Sequence, residues 1–100
     1  MDINRIVKQA REMQAKMQSL QEELARREVQ GSSGGGMVVV TLNGRGEMLR
    51  IHIDPQVVSD VEMLEDLVTS AFHDAHRQVQ ELAQREMGAL GGMLGGLPGL

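Results

Sequence analysis

The first quarter of the chain repeats apolar residues at alternating intervals of three and four positions. This spacing averages 3.5 residues and is the heptad pattern of a helix with one apolar stripe. The stripe comprises Ile3, Ile6, Ala10, Met13, Met17, Leu20 and Leu24. The pattern predicts a helix over about residues 3 to 27, on the order of 37 Å long. Such a helix is longer than a compact domain of 100 residues needs, so part of it should project or pack on a second helix.

After this helix the pattern becomes that of short strands and turns. Glu28-Val29-Gln30 favours a short strand, GSSGGG (31–36) a flexible loop, and the β-branched MVVVTL (37–42) a second strand. Asn43-Gly44 predicts a tight hairpin, because both residues tolerate positive φ. The segment EMLRIHID (47–54) then predicts a third strand.

Alternation along these strands separates a buried face from an outer face. The predicted buried face carries Val38, Val40, Leu42, Leu49, Ile51 and Ile53. The predicted outer face carries Met37, Val39, Thr41, Met48, Arg50 and His52. Three of these outer residues, Met37, Val39 and Met48, are apolar and favour pairing with a second copy. We therefore predict a homodimer with these three residues in its interface.

A second helix is predicted after the third strand. Asp54-Pro55 ends the strand because proline cannot donate to a ladder. Ser59 and Glu62 have the spacing of a capping box, and Gly88 is a plausible helix stop. The order helix, three antiparallel strands, helix is α+β, with two long helices and the sheet order 1-2-3. A single domain over 1–88 and a flexible Gly/Leu-rich tail over 89–100 are predicted.

Net charge is −4 at pH 7 and the sequence pI is about 5.3. This argues against a binder that relies on bulk positive charge. However, residues 1–20 contain four cations and two anions, whereas residues 54–100 contain two cations and eight anions. An anionic partner should therefore meet the first helix. The candidate phosphate contacts are Arg5, Lys8, Arg11, Lys16 and, at the hairpin tip, Arg45. The alternative is an ordinary solvated helix face.

Residues that could carry chemistry are few. Cysteine is absent, which excludes disulfides, thiolate metal sites and cysteine nucleophiles. GSSGGG lacks the Lys-Ser/Thr and the following helix of a phosphate-binding loop. Two other groups have ordinary structural explanations. Three histidines are explained as surface residues, and three acidic residues at the start of the second helix by their favourable interaction with its dipole. These residues are His52, His73 and His76, and Glu62, Glu65 and Asp66. We predict no enzyme activity, no metal and no cofactor.

Four segments together resemble the YbaB/EbfC family of bacterial nucleoid-associated proteins. They are KQAREMQAKMQSLQEEL (8–24), NG (43–44), IHIDP (51–55) and EMLEDLVTSAFHDA (62–75). The resemblance implies a homodimer of α-β-β-β-α protomers whose helices project like tweezers, bind DNA and change its conformation. It also implies a cytoplasmic, nucleoid-associated protein with a part in nucleoid organisation, gene regulation or DNA repair. Lys8 and Arg11 correspond to the family's polar helical face.

Two hypotheses follow. In the first, the protein binds double-stranded DNA as a homodimer through the cations of its first helix. In the second, it is a protein-interaction module that uses the Met/Leu stripe and the apolar tail, without direct DNA binding. No segment approaches the roughly 20 apolar residues of a membrane span, and the N-terminus lacks the apolar core of a signal peptide. We therefore expect a cytoplasmic protein.

Overall fold

The computed structural model describes residues 2–93, with the side chains of 2–86 and 88. Its elements are α1 (Ile3–Arg26), β1 (Glu28–Ser33), β2 (Val38–Asn43), β3 (Met48–Ile53), a single 3-10 turn (Pro55–Val57) and α2 (Val61–Met93). The strands form an antiparallel sheet in the order β1-β2-β3. The predicted α+β class, element order and strand order are confirmed.

The core lies between α2 and the first two strands. Val38, Val40 and Leu42 of β2 are 0% exposed and contact the face of α2 that carries Ala71 and Ala75. These small side chains let α2 approach the sheet closely, and the approach is closest at Gly31 of β1. A Cβ on Gly31 would lie 2.2 Å from the backbone nitrogen of Ala75. The register of α2 on the sheet therefore depends on glycine and alanine at the crossing point.

Most of β3 lies outside this core, contrary to the sequence prediction, although Ile53 packs against it. Leu49 and Ile51 were expected on the buried face but are 46% and 40% exposed, while Ile53 is half-buried. The reason is that α2 packs over β1 and β2 and leaves most of β3 uncovered. Period-two alternation predicts which residues share a face but not how far the covering helix reaches.

Thr41 was predicted on the outer face of the sheet, yet it is only 2% exposed. The strand register places Thr41 opposite Arg50, and Asn43 opposite Glu28. Arg50 Nη2 contacts Glu28 Oε2 at 3.1 Å, so this ion pair crosses β2 on the face that carries Thr41. Thr41 is thus on the predicted face but is covered by long charged side chains.

Two turn predictions are also wrong in detail. Residues 31–33 of GSSGGG belong to β1, and only the following glycines turn the chain. Asn43 and Gly44 do not adopt positive φ. Instead Gly46 has φ 86°, and its N–H donates to the Asn43 carbonyl at 2.9 Å. The hairpin is therefore a longer loop with glycine at the left-handed position, rather than a two-residue turn.

Both ends of α2 differ from the prediction. The Asp60 carboxylate, and not the Ser59 hydroxyl, accepts a hydrogen bond from the Met63 N–H at 3.0 Å and caps the helix. At the other end α2 passes through Gly88 and continues to Met93. Each glycine costs a helix only about 1 kcal/mol, and the helix formers of α2 offset this cost at Gly88, Gly91 and Gly92. Of the predicted tail, residues 94–100 lie outside the described residues.

α2 also covers the free edge of β1. Asp74 Oδ2 accepts a hydrogen bond from the Ser32 N–H at 3.1 Å, and Gln78 Nε2 donates one to the Gln30 carbonyl at 2.6 Å. Arg77 Nη2 contacts Asp74 Oδ1 at 2.6 Å. The hydrogen bond from Arg77, followed by that from the Ser32 N–H, holds the pKa of Asp74 below its ordinary value. Side chains of α2 thus form hydrogen bonds with outward backbone groups of β1, to which another strand would otherwise bond.

We expect this carboxylate to contribute an acid-sensitive part of the stability. A folded-state pKa below the unfolded value gives stability that is present above the unfolded pKa of about 3.9 and is lost as pH falls through the folded pKa. Asp74→Asn should lower the urea midpoint at pH 7 and reduce the drop between pH 7 and pH 3. Glu81→Gln, at an exposed carboxyl of the same helix, is the control. An unchanged pH 7 midpoint in Asp74→Asn would contradict this assignment.

Candidate nucleic-acid interface

α1 projects from the sheet. The Asp2 carboxylate caps its first turn by accepting from the Arg5 N–H at 3.3 Å. Near this end Ile3 is 71% exposed and Ile6 49%, and Leu24 is the buried residue of the helix. The apolar stripe is therefore exposed at the amino end, half-buried from residue 13, and packed at residue 24. The amino half of α1 is an arm accessible to a partner.

The four candidate cations of α1 are exposed and lie on one side of this arm. They are Arg5, Lys8, Arg11 and Lys16. At 3.6 residues per turn they fall within an arc of about 140°, opposite the apolar stripe, and span about 16 Å along the axis. Within residues 2–86 none of the four forms an ion pair. Glu12 is the acidic residue among them. This face can present several uncompensated cations to one run of phosphates.

Arg45 is not part of this cluster. It lies in the β2–β3 hairpin, where the neighbouring Gly44 N–H donates to the Leu24 carbonyl at 2.8 Å, at the base of α1. Measured from Leu24 along the helix axis toward the amino end, Lys16 is about 12 Å away and Arg5 about 29 Å. The Arg45 Nε also lies 3.8 Å from Glu47 Oε1, and this carboxylate weakens the attraction of Arg45 for an external phosphate. A partner must reach along the whole of α1 to contact both sites.

The hairpin fixes the base of α1. The Gly44 N–H donates both to the Leu24 carbonyl at 2.8 Å and to the Arg27 carbonyl at 2.9 Å. A Cβ on Gly44 would lie 2.5 Å from the Leu24 oxygen. The turn itself is held by Asn43, whose side chain accepts from the backbone N–H groups of Arg45 and Glu47, each at 3.0 Å. Carbonyls that a helix end leaves without partners are thus satisfied by the hairpin, which positions the arm.

One further cation was not singled out from the sequence. Arg26 is exposed and lies 18 residues, or five helical turns, after Lys8, so it is on the same side of α1. It forms no ion pair within residues 2–86, whereas Arg27 contacts Glu23 and Glu86 at 3.7 Å. The helical spacing from Lys8 could have revealed it, but the nearby glutamates made this end seem uniformly acidic.

Of the three predicted interface residues, Met48 lies on a different face of the sheet from Met37 and Val39. Val39 points away from the core because Val38 and Val40 point into it, and it is half-buried. Met48 is opposite Leu42 in the register, which places it on the core side at the uncovered strand β3. Met37 precedes β2 and is half-buried next to Gly34. Their place in a dimer interface therefore stays a prediction.

The other candidate groups, the acidic residues and the histidines, lie on α2 and β3. Glu62 and Asp66 line an open hollow of about 310 Å³, together with Asp60, Met63 and Leu67. The His76 ring stacks on Phe72 with centroids 5.9 Å apart. Among the described residues no group of three or more potential ligands is placed to hold a metal ion. No helix within that part of the chain is long and apolar enough to span a membrane.

Comparisons with known proteins cover nearly the whole chain. The profile of the YbaB/EbfC DNA-binding family matches residues 1–94. A nucleoid-associated protein of Rhodococcus erythropolis is 48% identical over 102 residues, which cover 99% of this chain and 91% of the relative. Nucleoid-associated protein DP1429 of Desulfotalea psychrophila is 48% identical over 96 residues, covering 93% and 91%. The crystal structure of uncharacterized protein HP0035 from Helicobacter pylori matches with a TM-score of 0.83 and 28% identity, covering 90% of this chain and 97% of that one.

Proposed function

The chain belongs to the YbaB/EbfC DNA-binding family, and on that premise we propose that it is a nucleoid-associated protein that grips double-stranded DNA between the α1 arms of a homodimer. The observation that carries this proposal is the projecting helix with four exposed cations on one side, none of which forms an ion pair within residues 2–86. Lysine and arginine contacts to phosphates supply affinity and position without reading sequence. We therefore expect broad sequence tolerance.

The negative charge of α2 favours one orientation of the protein on DNA. Residues 61–86 of α2 contain six acidic and two basic residues, a local charge of −4. Such a surface repels the phosphate backbone, whereas the amino-terminal half of α1 attracts it. The duplex is thus directed to the arms, and the overall negative charge is compatible with DNA binding.

The surface area favours association of two copies. A compact monomer of 11.0 kDa exposes about 5,600 Å². This chain exposes 7292 Å², an excess of about 1,700 Å². A standard interface buries about 800 Å² on each partner. The projecting arm contributes to this excess, as do the exposed apolar residues of β3, Met48, Leu49 and Ile51.

The mechanism we propose is mechanical and non-enzymatic. Two arms held at a fixed separation contact phosphates at two places, release counterions, and bend, bridge or clamp the duplex, and no bond is made or broken. Arg5, Lys8, Arg11 and Lys16 provide these contacts, and Arg45 provides one at the base of the arm. The location would be the nucleoid, with consequences for nucleoid organisation, gene regulation or DNA repair. No cofactor is required.

A substitution that reverses the charge of one side chain on the arm tests this function. Lys8→Glu should weaken binding to a duplex in a gel-shift titration. It should also reduce the slope of log K against log salt by about 2, since each copy of a dimer loses one contact worth about 0.9. The matched control is Arg85→Glu, which makes the same charge change at an exposed position of α2.

Equal effects of the two substitutions would show that only net charge matters and would contradict the arm as the contact site. Absence of any shift for the wild-type protein would favour the protein-interaction alternative, in which the Met/Leu stripe of α1 or the carboxyl-terminal tail docks on another protein.

A further inference from the structure

The chain contains two lysines, Lys8 and Lys16, against eight arginines. Both lysines are exposed and lie on the side of α1 that carries the candidate phosphate contacts. They are eight residues, or about 12 Å, apart along the helix axis. Since no other position carries a lysine, the reactive side-chain amines of this protein are confined to the arm.

The ion pairs of the fold are made by arginine. Within residues 2–86 the cations that contact carboxylates are Arg27, Arg45, Arg50 and Arg77. In the same range neither lysine side chain takes part in an ion pair or a hydrogen bond. A chemical change at the two lysines therefore leaves the polar contacts that hold the fold intact.

The two lysines carry half of the positive charge of the arm. Residues 1–20 contain four cations and two anions, a balance of +2. Loss of both lysine charges leaves Arg5 and Arg11 against Asp2 and Glu12, a balance of zero. Attraction to phosphates depends on uncompensated cations, so the arm would lose most of it. DNA binding can thus be weakened without any change to an arginine or to the fold.

Acylation is a modification that removes the charge of a lysine. The lone pair of the neutral Nζ amine attacks the carbonyl carbon of an acyl phosphate. The bond between this carbon and the phosphate oxygen breaks, phosphate leaves with the electron pair, and the proton released by nitrogen passes to water. The product is a neutral amide. Arginine does not react in this way, because its guanidinium stays protonated.

We propose that Lys8 and Lys16 are acylation sites, and that their modification by an acyl phosphate releases the protein from DNA. This inference rests on the proposed function and adds a means of regulating the same site. Bound DNA opposes the reaction, since an amine held at a phosphate oxygen is charged and shielded. Acylation therefore acts on unbound arms and prevents their return to the duplex.

Acetyl phosphate is the probe, and mass spectrometry of the intact protein and its peptides locates each acetyl group. Protein acetylated at both lysines should bind a duplex on the order of 100-fold more weakly at about 0.1 M salt. The slope of log K against log salt should fall by about 3.6, since two lysines in each copy of a dimer lose contacts worth about 0.9 each. The circular dichroism spectrum and the urea midpoint should match those of untreated protein.

The matched control is the double variant Lys8→Arg/Lys16→Arg, which keeps both charges and removes both reactive side-chain amines. It should bind DNA like the wild type before and after treatment. The variant retains the amino-terminal amine of the chain. An equal loss of affinity in the treated variant would assign the effect to that group and overturn the proposal.

Protection by DNA is a second measurement. Excess duplex at low salt should slow acetylation of both lysines severalfold, and salt that dissociates the complex should restore the rate. A rate unaffected by duplex would overturn the proposal. Unchanged affinity of the doubly acetylated protein would overturn it and leave DNA binding through Arg5 and Arg11 intact. Absence of a shift by untreated protein would instead refute the proposed function and, with it, this regulation.

Discussion

Gly31→Ala is expected to destabilise the protein more than any other single methyl addition in the described fold. The added Cβ would lie 2.2 Å from the Ala75 nitrogen and 2.3 Å from the Ala71 oxygen, both backbone atoms of α2. A helix backbone cannot move aside as a side chain can, so α2 must separate from the sheet and open the core. We expect a loss of about 3 kcal/mol or more. This is a large part of the roughly 5–15 kcal/mol of a typical domain.

The measurement is urea unfolding followed by circular dichroism, with Gly88→Ala as the matched control. That substitution adds the same atoms inside α2, where nothing lies within 4 Å of the new Cβ. It should raise stability by about 1 kcal/mol, because alanine is a better helix former. Opposite signs for the same chemical change would isolate the steric contact at β1. A Gly31→Ala midpoint equal to that of the wild type would refute the close crossing.

The second large effect is expected at Gly44, and it concerns the arm rather than the core. The alanine Cβ would lie 2.5 Å from the Leu24 oxygen, at the place where the hairpin holds the end of α1. Gly44→Ala should therefore break both hydrogen bonds from its N–H, to the Leu24 carbonyl of α1 and to the Arg27 carbonyl that follows it, a loss of about 2–3 kcal/mol. We expect faster amide exchange throughout α1 and weaker DNA binding, although no cation has changed. Hydrogen-exchange mass spectrometry together with a gel shift would measure both.

Gly46→Ala in the same hairpin is the control. Gly46 has φ 86° with nothing within 4 Å of a Cβ, so alanine there causes backbone strain of about 1–2 kcal/mol without touching α1. Exchange in α1 should remain near that of the wild type. If Gly46→Ala released the arm as strongly as Gly44→Ala, the general stability of the hairpin, and not the contact with Leu24, would control the position of α1.

Periodicity was sufficient to predict the order of the elements, because the change from a period near 3.5 to a period of two is a local property of the chain. The burial of Val38, Val40 and Leu42 was correctly predicted for the same reason. The exposure of Leu49 and Ile51 was not, since it depends on where α2 crosses the sheet. That crossing is set by Gly31 and by Ala71 and Ala75 of α2. The alternation of apolar and polar residues does not show where such small residues allow a close approach.

The part of the candidate interface that lies on a single helix could be predicted from the sequence. The shared face of Arg5, Lys8 and Arg11 follows from helical spacing, and the structure shows that all three are exposed. The separation of Arg45 from this face could not be read from the sequence, because it requires the hairpin to dock at the carboxyl end of α1 rather than beside the arm. Their phosphate contacts remain predictions.

Closure of the β1 edge by Asp74 and Gln78 leaves β3 as the available edge of the described sheet. A protomer with two available edges would add copies indefinitely and form a fibre, whereas a protomer with one edge has used its capacity after a single self-pairing. Closure of one edge therefore protects the sheet against open-ended growth into a fibre.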